Sequence, residues 1–392
     1  MNLSTWPSYD DKDIADVSAV LASGRVNQWT GHHVKEFERE FARWLGCEYA
    51  AAVSNGTVAL ELALRALIIG PGDEVIVSSR SYFASASAIV AVGARPVFCD
   101  IDIDSGNMSA ETVLPHITNK TKAILAVHIG GLPCDMDPIL KIARNHGLKV
   151  VEDCAQAHGA KYRGRNVGTL GDVSCWSFCQ DKILSTAGEG GMITTNFLHV
   201  HEFVTSYKDH GKKFGKISNS NVFGFKYLHD QFGSNYRMTE IQAAVGRNQL
   251  LRLDEWIEVR NRNSSILTSY LSEFEFLRFP SISQASAGCG VDVNAYYKFY
   301  LFLDLKFVKN VMTRDALGTE IVSSGIPCFS GSCAEIYLED AFLQTNFRPD
   351  LRFKNASIIS DTSLMFLVHP TLTDEQMHFI GKTIQGIFTR YR

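Results

Sequence analysis

The chain has 392 residues, of which 45% are hydrophobic and 20% are charged, and its formal net charge is −4. That length is sufficient for roughly two to three domains, and the composition is that of an ordinary folded protein. The weak charge gives no reason to expect nucleic acid or a membrane as partner, no apolar run is long enough to span a bilayer, and no signal peptide is expected.

Two helices are predicted at the start of the chain, after a short arm. Asp10 or Asp11 can cap the first helix, and Gly24 ends it. The second helix covers about residues 34–45. The apolar stripe predicted for the first helix consists of Ile14, Val17 and Leu21.

Short apolar runs then alternate with helical stretches as far as Thr195. This alternation is typical of βαβ units in a mostly parallel sheet that is covered by helices. The runs are continuously apolar, as expected for strands buried on both faces. The predicted strands are 50–53, 74–78, 96–99, 122–127, 148–152, 173–178 and 191–195, and the predicted helices include 58–67, 84–92 and 138–146.

The pattern changes after Thr195. Residues 203–223 are polar and are interpreted as a loop, and a Ser/Ala/Gly-rich stretch follows at 281–290. We predict a large α/β domain over residues 1–252 and a small α+β domain over 253–392. The elements predicted in this half are helices at 238–253, 253–274 and 313–325, strands at 295–303 and 363–368, and a terminal helix with a Thr373/Gln376 capping box.

The nine cysteines are scattered, with neither a CxxC pair nor the spacing of a zinc site. An odd number of cysteines in a chain of this size favours reduced thiols. We therefore expect a cytoplasmic protein and no metal site.

Lys182 has the most informative surroundings of any residue in the chain. Ser177 precedes it by five residues, just past a predicted strand, and a Gly-Glu-Gly-Gly run follows at 188–191. About thirty residues upstream, another predicted strand leads to Asp153. A lysine amine, an acid at a strand end and a Ser/Gly environment suited to phosphate are what pyridoxal 5′-phosphate (PLP) requires. The alternative is a surface lysine in a loop.

Asp153 and Gln156 follow a predicted strand at its carboxyl end, where open α/β sheets bind ligands. The carboxylate could hold the protonated pyridine nitrogen of PLP, and the amide could bind the ring's 3′ oxygen. The alternative for Asp153 is a helix cap without a ligand.

Four further segments can each be interpreted in two ways, as a ligand-binding site or as ordinary structure without a ligand. Gly56 and Thr57 open a helix, where free backbone N–H groups suit a phosphate, or the turn is only a cap. Tyr82 is either an aromatic that stacks on a cofactor ring or part of the core. Residues 235–237, which contain Asn235, and the basic stretch 208–216 could contact anions, or they are solvated loops.

Together these segments resemble the sugar aminotransferases of the DegT/DnrJ/EryC1/StrS family, from about residue 26 to at least 253 and more weakly to the C-terminus. Seven pieces match in family order. They are residues 54–60, 72–77, 93–98, 152–160, 177–182, 188–191 and 235–240. Two departures are visible: Glu189 lies seven rather than six residues after the lysine, and Cys179-Gln180-Asp181 replaces the more usual residues before it.

The resemblance implies a fold-type-I PLP-dependent transferase, with a mainly parallel sheet in the large domain, a small α+β C-terminal domain and a homodimer with shared active sites. It also implies one role for each candidate residue. Lys182 binds PLP covalently, Asp153 pairs with the pyridine nitrogen, Gln156 lies near the ring oxygen, Ser177 and the amides of Gly56 and Thr57 hold the phosphate, Tyr82 stacks on the ring, and Asn235 reaches the phosphate from the partner subunit.

The function expected from this resemblance is transfer of an amino group from glutamate to a nucleotide-linked keto-sugar, at C4 or C3, for amino-deoxysugar and surface polysaccharide biosynthesis. One alternative is a PLP-dependent sugar dehydratase, but those relatives carry histidine in place of the lysine. Another is a regulatory homologue without catalysis. The residues that select the sugar and nucleotide are expected in loops 26–33, 208–223 and 331–337.

Overall fold

The computed structural model describes residues 2–214, 228–282 and 291–391. Its α-helices are α1 (Asp11–Ser23), α2 (His33–Leu45), α3 (Gly56–Ala66), α4 (Ala84–Ala91), α5 (Ala110–Val113), α6 (Met136–His146), α7 (Leu198–Tyr207), α8 (Glu240–Leu271), α9 (Leu305–Asn310), α10 (Arg314–Ser323), α11 (Lys354–Thr362) and α12 (Asp374–Phe388). Its strands are β1 (Tyr49–Val53), β2 (Glu74–Ser78), β3 (Arg95–Cys99), β4 (Thr121–Val127), β5 (Lys149–Asp153), β6 (Lys161–Tyr162), β7 (Arg165–Asn166), β8 (Val173–Ser177), β9 (Gly191–Thr195), β10 (Leu277–Arg278), β11 (Phe299–Leu303), β12 (Cys328–Phe329) and β13 (Ser363–Phe366).

The central sheet has seven strands in the order β1-β9-β8-β5-β4-β2-β3. Strand β9 is antiparallel to both neighbours, and the other pairings are parallel. The predicted mostly parallel α/β sheet is therefore confirmed. Because β1, β2, β4, β5 and β8 run in the same direction, the segments that follow them lie along one edge of the sheet. At this edge lie the turn at 54–57, Tyr82, residues 153–156 and residues 177–182, which end or follow β1, β2, β5 and β8.

Alternate residues of the strands contribute to two apolar clusters, one on each face of the sheet. Ile76 and Ile124 pack with residues of α2, α6 and α8, whereas Val77 and Leu125 pack with residues of α3, α4 and α7. Both faces are therefore covered by helices, as the continuously apolar strands require.

A second, antiparallel sheet of four strands has the order β10-β11-β13-β12. Its core includes Leu267 and Leu271 at the end of α8 together with apolar residues of α12. The capping box predicted at Thr373 and Gln376 is present at the start of α12. Among the described residues, no helix combines the length and apolarity needed to cross a membrane.

Two predictions after Thr195 are wrong in detail. Helix α8 is a single helix of 32 residues, whereas two helices meeting at residue 253 were predicted. Leu253 is fully buried within it, and no proline interrupts the segment. Residues 203–207 form the end of α7 rather than a loop, since Val204 faces the core. Residues 215–223 of that predicted loop, and 283–290 of the Ser/Ala/Gly-rich stretch, lie outside the described residues.

Helix α1 begins and ends as predicted, with Asp10 as N-cap and Gly24 as C-cap. Its predicted apolar stripe is wrong, because Ile14 and Leu21 are 61% and 56% exposed. The helix packs on α8 through another face, on which the buried Asp13 accepts a hydrogen bond of 2.7 Å from Arg252. An ion pair therefore holds this helix where an apolar contact was expected.

Candidate active site

Lys182 lies in the loop between β8 and β9, at the sheet edge described above. The loop folds back on itself through a hydrogen bond from Lys182 N to Cys179 O (3.0 Å) and one from Thr186 N to Phe178 O (3.1 Å). The indole Nε1 of Trp6 donates to the carbonyl of Lys182 at 2.8 Å. The N-terminal arm thus fixes the backbone of the lysine, which the sequence alone did not indicate.

The side chain of Lys182 is half-buried, and its Nζ lies 4.9 Å from the ring centroid of Tyr297. A second amine, the Nζ of Lys298, lies 4.7 Å from the same centroid. The Tyr297 hydroxyl donates to Asp181, the residue before Lys182. Burial lowers the pKa of Lys298 to about 8, with Asp181 opposing the shift and Arg260 and Lys182 adding to it. Sequence reasoning missed Tyr297 and Lys298 because more than a hundred residues separate them from Lys182.

The Gly-Glu-Gly-Gly run closes the lysine loop. The carbonyl of Glu189 accepts hydrogen bonds of 2.6 Å from Thr186 Oγ1 and Gln242 Nε2. Ala187 and Gly188 before it have φ values of 61° and 122°. Two consecutive residues with positive φ reverse the chain sharply, which is how the loop accommodates Glu189 seven residues after Lys182.

Asp153 ends β5, and its carboxylate is only 6% exposed. The Oγ of Ser85 donates to Oδ2 at 2.7 Å, and the amide of Ala155 donates to Oδ1 at 3.1 Å. The residues that follow form turns and not a helix, so Asp153 does not cap a helix. Within the described ranges no cationic side chain forms an ion pair with this carboxylate. A buried carboxylate with a fixed orientation therefore suits a positively charged ring nitrogen.

Gln156 lies next to Asp153 and is 7% exposed. Its Oε1 accepts from the amide of Gly130 at 2.8 Å, and its Nε2 lies 3.5 Å from the Oγ of Ser332. The oxygen is therefore engaged by the backbone, and the amide nitrogen is the group turned toward the 331–337 loop. That loop, predicted to select substrate, does reach the edge where Lys182 lies.

The start of α3 and the end of β8 lie against each other. Asn55 caps α3 by accepting from Val58 N at 3.0 Å, which leaves the amides of Gly56 and Thr57 at the positive end of the helix. A Cβ added to Gly56 would lie 2.7 Å from the Cβ and 3.1 Å from the Oγ of Ser177. This close approach brings two backbone donors and a hydroxyl together, and a phosphate fits such a set.

Tyr82 and Asn235 are both exposed on the described chain. Tyr82 is 72% exposed on the segment after β2, so it is not a core aromatic. Asn235 forms a bridge with Asp209, and the adjoining Tyr236 accepts from the amide of Ser54 at 2.9 Å. Residues 235–237 therefore run beside the turn that opens α3.

The predicted loops 26–33 and 208–223 meet at Trp29, as far as they are described. Its indole Nε1 donates to Asp209 Oδ2 at 3.0 Å, and the cationic groups of Lys212 and Arg237 lie 3.8 and 4.4 Å from its ring centroid. Arg237, considered as an anion ligand, is instead paired with Asp209.

His128, Glu152 and Cys154 form a buried cluster with ligand atoms within 4.8 Å of one another. The oxygens of Glu152 already accept from the amides of 168, 170 and 171 and from the Ser174 hydroxyl. The carboxylate therefore anchors the backbone before β8, and the cluster supports no metal assignment.

The residues at this edge fit PLP group by group. A half-buried amine, a buried carboxylate, an oriented amide and a cradle of backbone N–H groups beside a hydroxyl match its aldehyde, ring nitrogen, ring oxygen and phosphate. The absent Cβ of Gly56 is the most specific feature of this fit, since any larger residue would close the cradle.

Comparisons with known proteins agree with this chemistry. The DegT/DnrJ/EryC1/StrS aminotransferase family matches residues 7–385. The chain is 43% identical over 260 residues to a GDP-perosamine synthase of Escherichia coli O157:H7, covering 66% of this chain and 68% of that protein. It is 41% identical over 320 residues to a GDP-perosamine synthase of Vibrio cholerae, covering 82% of each. An aminotransferase structure from Psychrobacter cryohalolentis superposes with a TM-score of 0.96, at 45% identity over 99% of both chains.

Proposed function

Because the chain belongs to the DegT/DnrJ/EryC1/StrS family of PLP-dependent aminotransferases, we propose that it moves an amino group from glutamate to a nucleotide-linked keto-sugar. The product is an amino-deoxysugar destined for a surface polysaccharide. The observation that carries the proposal is the convergence of Lys182, Asp153 and the Gly56–Ser177 cradle on one sheet edge. The nucleotide-sugar substrate is supported by the GDP-perosamine synthases that the chain resembles.

PLP, when bound, supplies an electron sink that stabilises negative charge at the carbon bearing the amino group. Asp153 supports this role by holding the ring nitrogen in its protonated form. Ser85 and the amide of Ala155 keep that carboxylate in position. Burial strengthens the interaction, because little water competes for the carboxylate.

The amine of Lys182 would hold the cofactor, and it would also move a proton at the reacting carbon as general acid and base. The hydrogen bond from Trp6 and the ring of Tyr297 restrict the positions that the lysine can take. Ser177 with the amides of Gly56 and Thr57 holds the phosphate, Gln156 orients the ring oxygen, and Tyr82 covers the ring.

The active enzyme is a homodimer in this proposal, with Asn235 reaching the phosphate in the partner subunit. Tyr82 and Phe232 are 72% and 99% exposed on the single chain, and Asn235 is exposed beside the α3 turn. Large aromatic groups exposed near a site suit a surface that another chain covers. The enzyme works in the cytoplasm, where its cysteines stay reduced; those within the described residues are unpaired.

The test is mass spectrometry of products from ¹⁵N-labelled glutamate and a panel of keto-sugar nucleotides. The proposal predicts label in the sugar and release of 2-oxoglutarate. A deoxy-keto product without nitrogen would indicate a dehydratase instead. Lys182 argues against that outcome, since the resembling dehydratases carry histidine there. Purified protein with no PLP absorbance, and with a spectrum unchanged by Lys182→Ala, would indicate a regulatory homologue.

A further inference from the structure

A cavity of about 210 Å³ opens next to Gln156, between the central sheet and the second sheet. Arg80, Gly130, Lys298 and Tyr300 lie in its wall. Gly130 donates its amide to Gln156, and Tyr300 accepts from the amide of Ser332 at 3.0 Å. The cavity therefore shares its wall with the proposed cofactor site.

Arg80 is the unusual residue of this cavity. It follows β2 directly and is 1% exposed. Its Nη1 donates to the carbonyl of Gly106 at 3.2 Å, but Nε and Nη2 have no hydrogen-bond partner among the described residues. No ion pair in the described ranges includes Arg80. A buried guanidinium with free donors is costly, and an anion placed between Nε and Nη2 would satisfy both.

The guanidinium of Arg80 lies against two aromatic rings. Its guanidinium carbon lies 4.8 Å from the ring centroid of Tyr300 and 5.3 Å from that of Phe302. Both distances are within the range of a cation–π contact, which engages the guanidinium without using its N–H donors. Gly106 is required here, because an added Cβ would lie 2.1 Å from Nη1.

Lys298 adds a second cation to the same cavity. Its Nζ lies 4.0 Å from Asp181 Oδ2. The same Nζ and that of Lys182 both lie within 5 Å of the ring centroid of Tyr297. No acidic residue lines the cavity within the described part of the chain. The cavity is therefore lined by two cationic side chains, Arg80 and Lys298, and the second of these lies close to Lys182.

The size of the cavity favours a small anion. Sites for drug-sized ligands occupy roughly 300 Å³ or more, so a nucleotide with its sugar does not fit in about 210 Å³. An amino acid with two carboxylates does. Each carboxylate of such a ligand could then pair with one of the two cationic side chains, Arg80 and Lys298.

We propose that this cavity binds the carboxylates of a dicarboxylic amino donor, with Arg80 binding one carboxylate through Nε and Nη2 and Lys298 facing the other. This inference rests on the proposed function, since it assumes an amino donor. It assigns the preference for glutamate over monocarboxylic amino acids to Arg80.

The test compares wild type, Arg80→Gln and Arg278→Gln as holoenzymes. Arg278 is a matched control: it lies 5.6 Å from the ring of the same Phe302 but pairs with Asp104 outside the cavity lining. The half-reaction with glutamate is followed by the cofactor spectrum, and the reverse half-reaction with the amino-sugar nucleotide is measured in parallel. Losing a buried, charged hydrogen-bond partner should raise the half-saturating glutamate concentration roughly thirty-fold or more.

The expected pattern is specific. R80Q raises the half-saturating concentration of glutamate and leaves that of the amino-sugar nucleotide unchanged. R278Q behaves as wild type in both half-reactions. Glutarate, which lacks an amino group, should inhibit wild type competitively and R80Q only weakly. R80Q with wild-type half-saturation for glutamate would overturn the inference and leave the proposed function standing.

Failure of wild type to react with glutamate would count against the proposed function and not against the cavity. Calorimetric titration with glutarate then decides: binding to wild type that R80Q loses supports the anion site, and equal affinity or no binding overturns it. If R80Q does not fold, as judged by its thermal transition, Lys298→Met is titrated instead. Unchanged glutarate affinity in K298M would overturn the inference.

Discussion

The hydroxyl of Ser85 donates a hydrogen bond of 2.7 Å to Oδ2 of Asp153. Ser85 is itself 2.6 Å from Ser81 Oγ, so a chain of hydroxyls on α4 and the segment before it supports the buried carboxylate. In the proposed function, this carboxylate keeps the ring nitrogen of the cofactor protonated. Ser85 is then a positioning residue that acts through Asp153.

Asp153→Asn should reduce transamination by at least about 10³-fold, because the neutral amide no longer favours a protonated ring nitrogen. Ser85→Ala should reduce it about ten-fold, since one hydrogen bond to a charged group is lost. Ser87→Ala on the same helix is the control, as that hydroxyl lies near the carbonyl of Ala84. A cofactor spectrum unchanged in S85A, with full activity, would contradict the positioning role.

Stability should fall in acid because two histidines are buried in neutral form. Burial lowers the pKa of His158 and of His369 to about 3, and Arg260 adds to both shifts. The unfolded chain binds more protons below about pH 6.5. The free energy of unfolding is therefore unaffected by these histidines above about pH 6.5, and it decreases as the pH falls from 6.5 toward 3. Between pH 7.5 and pH 5, each histidine should lower the free energy of unfolding by about 2 kcal/mol.

Urea unfolding of wild type and His158→Asn at pH 7.5 and pH 5 measures this effect. The variant should lose about 2 kcal/mol less between the two conditions. His146→Asn, at the exposed end of α6, should follow wild type. Identical pH dependence in H158N and wild type would contradict the account.

The N-terminal arm should control how often the lysine loop opens. Trp6→Phe keeps an aromatic ring against Trp256, 5.0 Å away, but removes the donor to the Lys182 carbonyl. Hydrogen exchange of residues 178–190 should report an opening free energy lower by about 1 kcal/mol. Trp44→Phe, which loses a donor to Asp254 on the surface, is the control. Unchanged exchange in W6F would show that the arm does not restrain the loop.

The proposed shared site predicts complementation between subunits. If Asn235 acts across the dimer, a hybrid of one Lys182→Ala subunit and one Asn235→Ala subunit carries both defects in one site and leaves the other site intact. Mixing the two inactive variants should restore about a quarter of wild-type activity, from hybrid dimers with one intact site. Light scattering checks that each variant is a dimer. Mixtures as inactive as the separate variants would mean that Asn235 acts in the site of its own subunit, or that no dimer forms.

The sequence predicted the central sheet well, because its strands are short continuous apolar runs between helices. Strands 74–78 and 191–195 have the predicted bounds. Local pattern failed at α8, where a single helix runs from Glu240 to Leu271 although two helices were expected. It also failed at α1, where an ion pair replaced an apolar contact. The division into 1–252 and 253–392 stays a prediction.

The candidate site was predictable where its residues follow strands, and not elsewhere. Asp153 and Ser177 are the last residues of two neighbouring strands that end at one edge of the sheet, and Lys182 follows the second of these strands. Trp6, Tyr297 and Arg80 were not identified, since no spacing rule connects them to Lys182. Only folding brings a tryptophan of the arm and an aromatic of the second half against the same loop.

The most direct test of the central claim is to reduce the holoenzyme with borohydride and map the modified peptide by mass spectrometry. Lys182 and Lys298 both lie within 5 Å of the ring centroid of Tyr297, so the experiment distinguishes two adjacent amines. We predict a single pyridoxyl group on Lys182, and none after prior incubation with glutamate. A label on Lys298, or no label at all, would contradict the proposed chemistry.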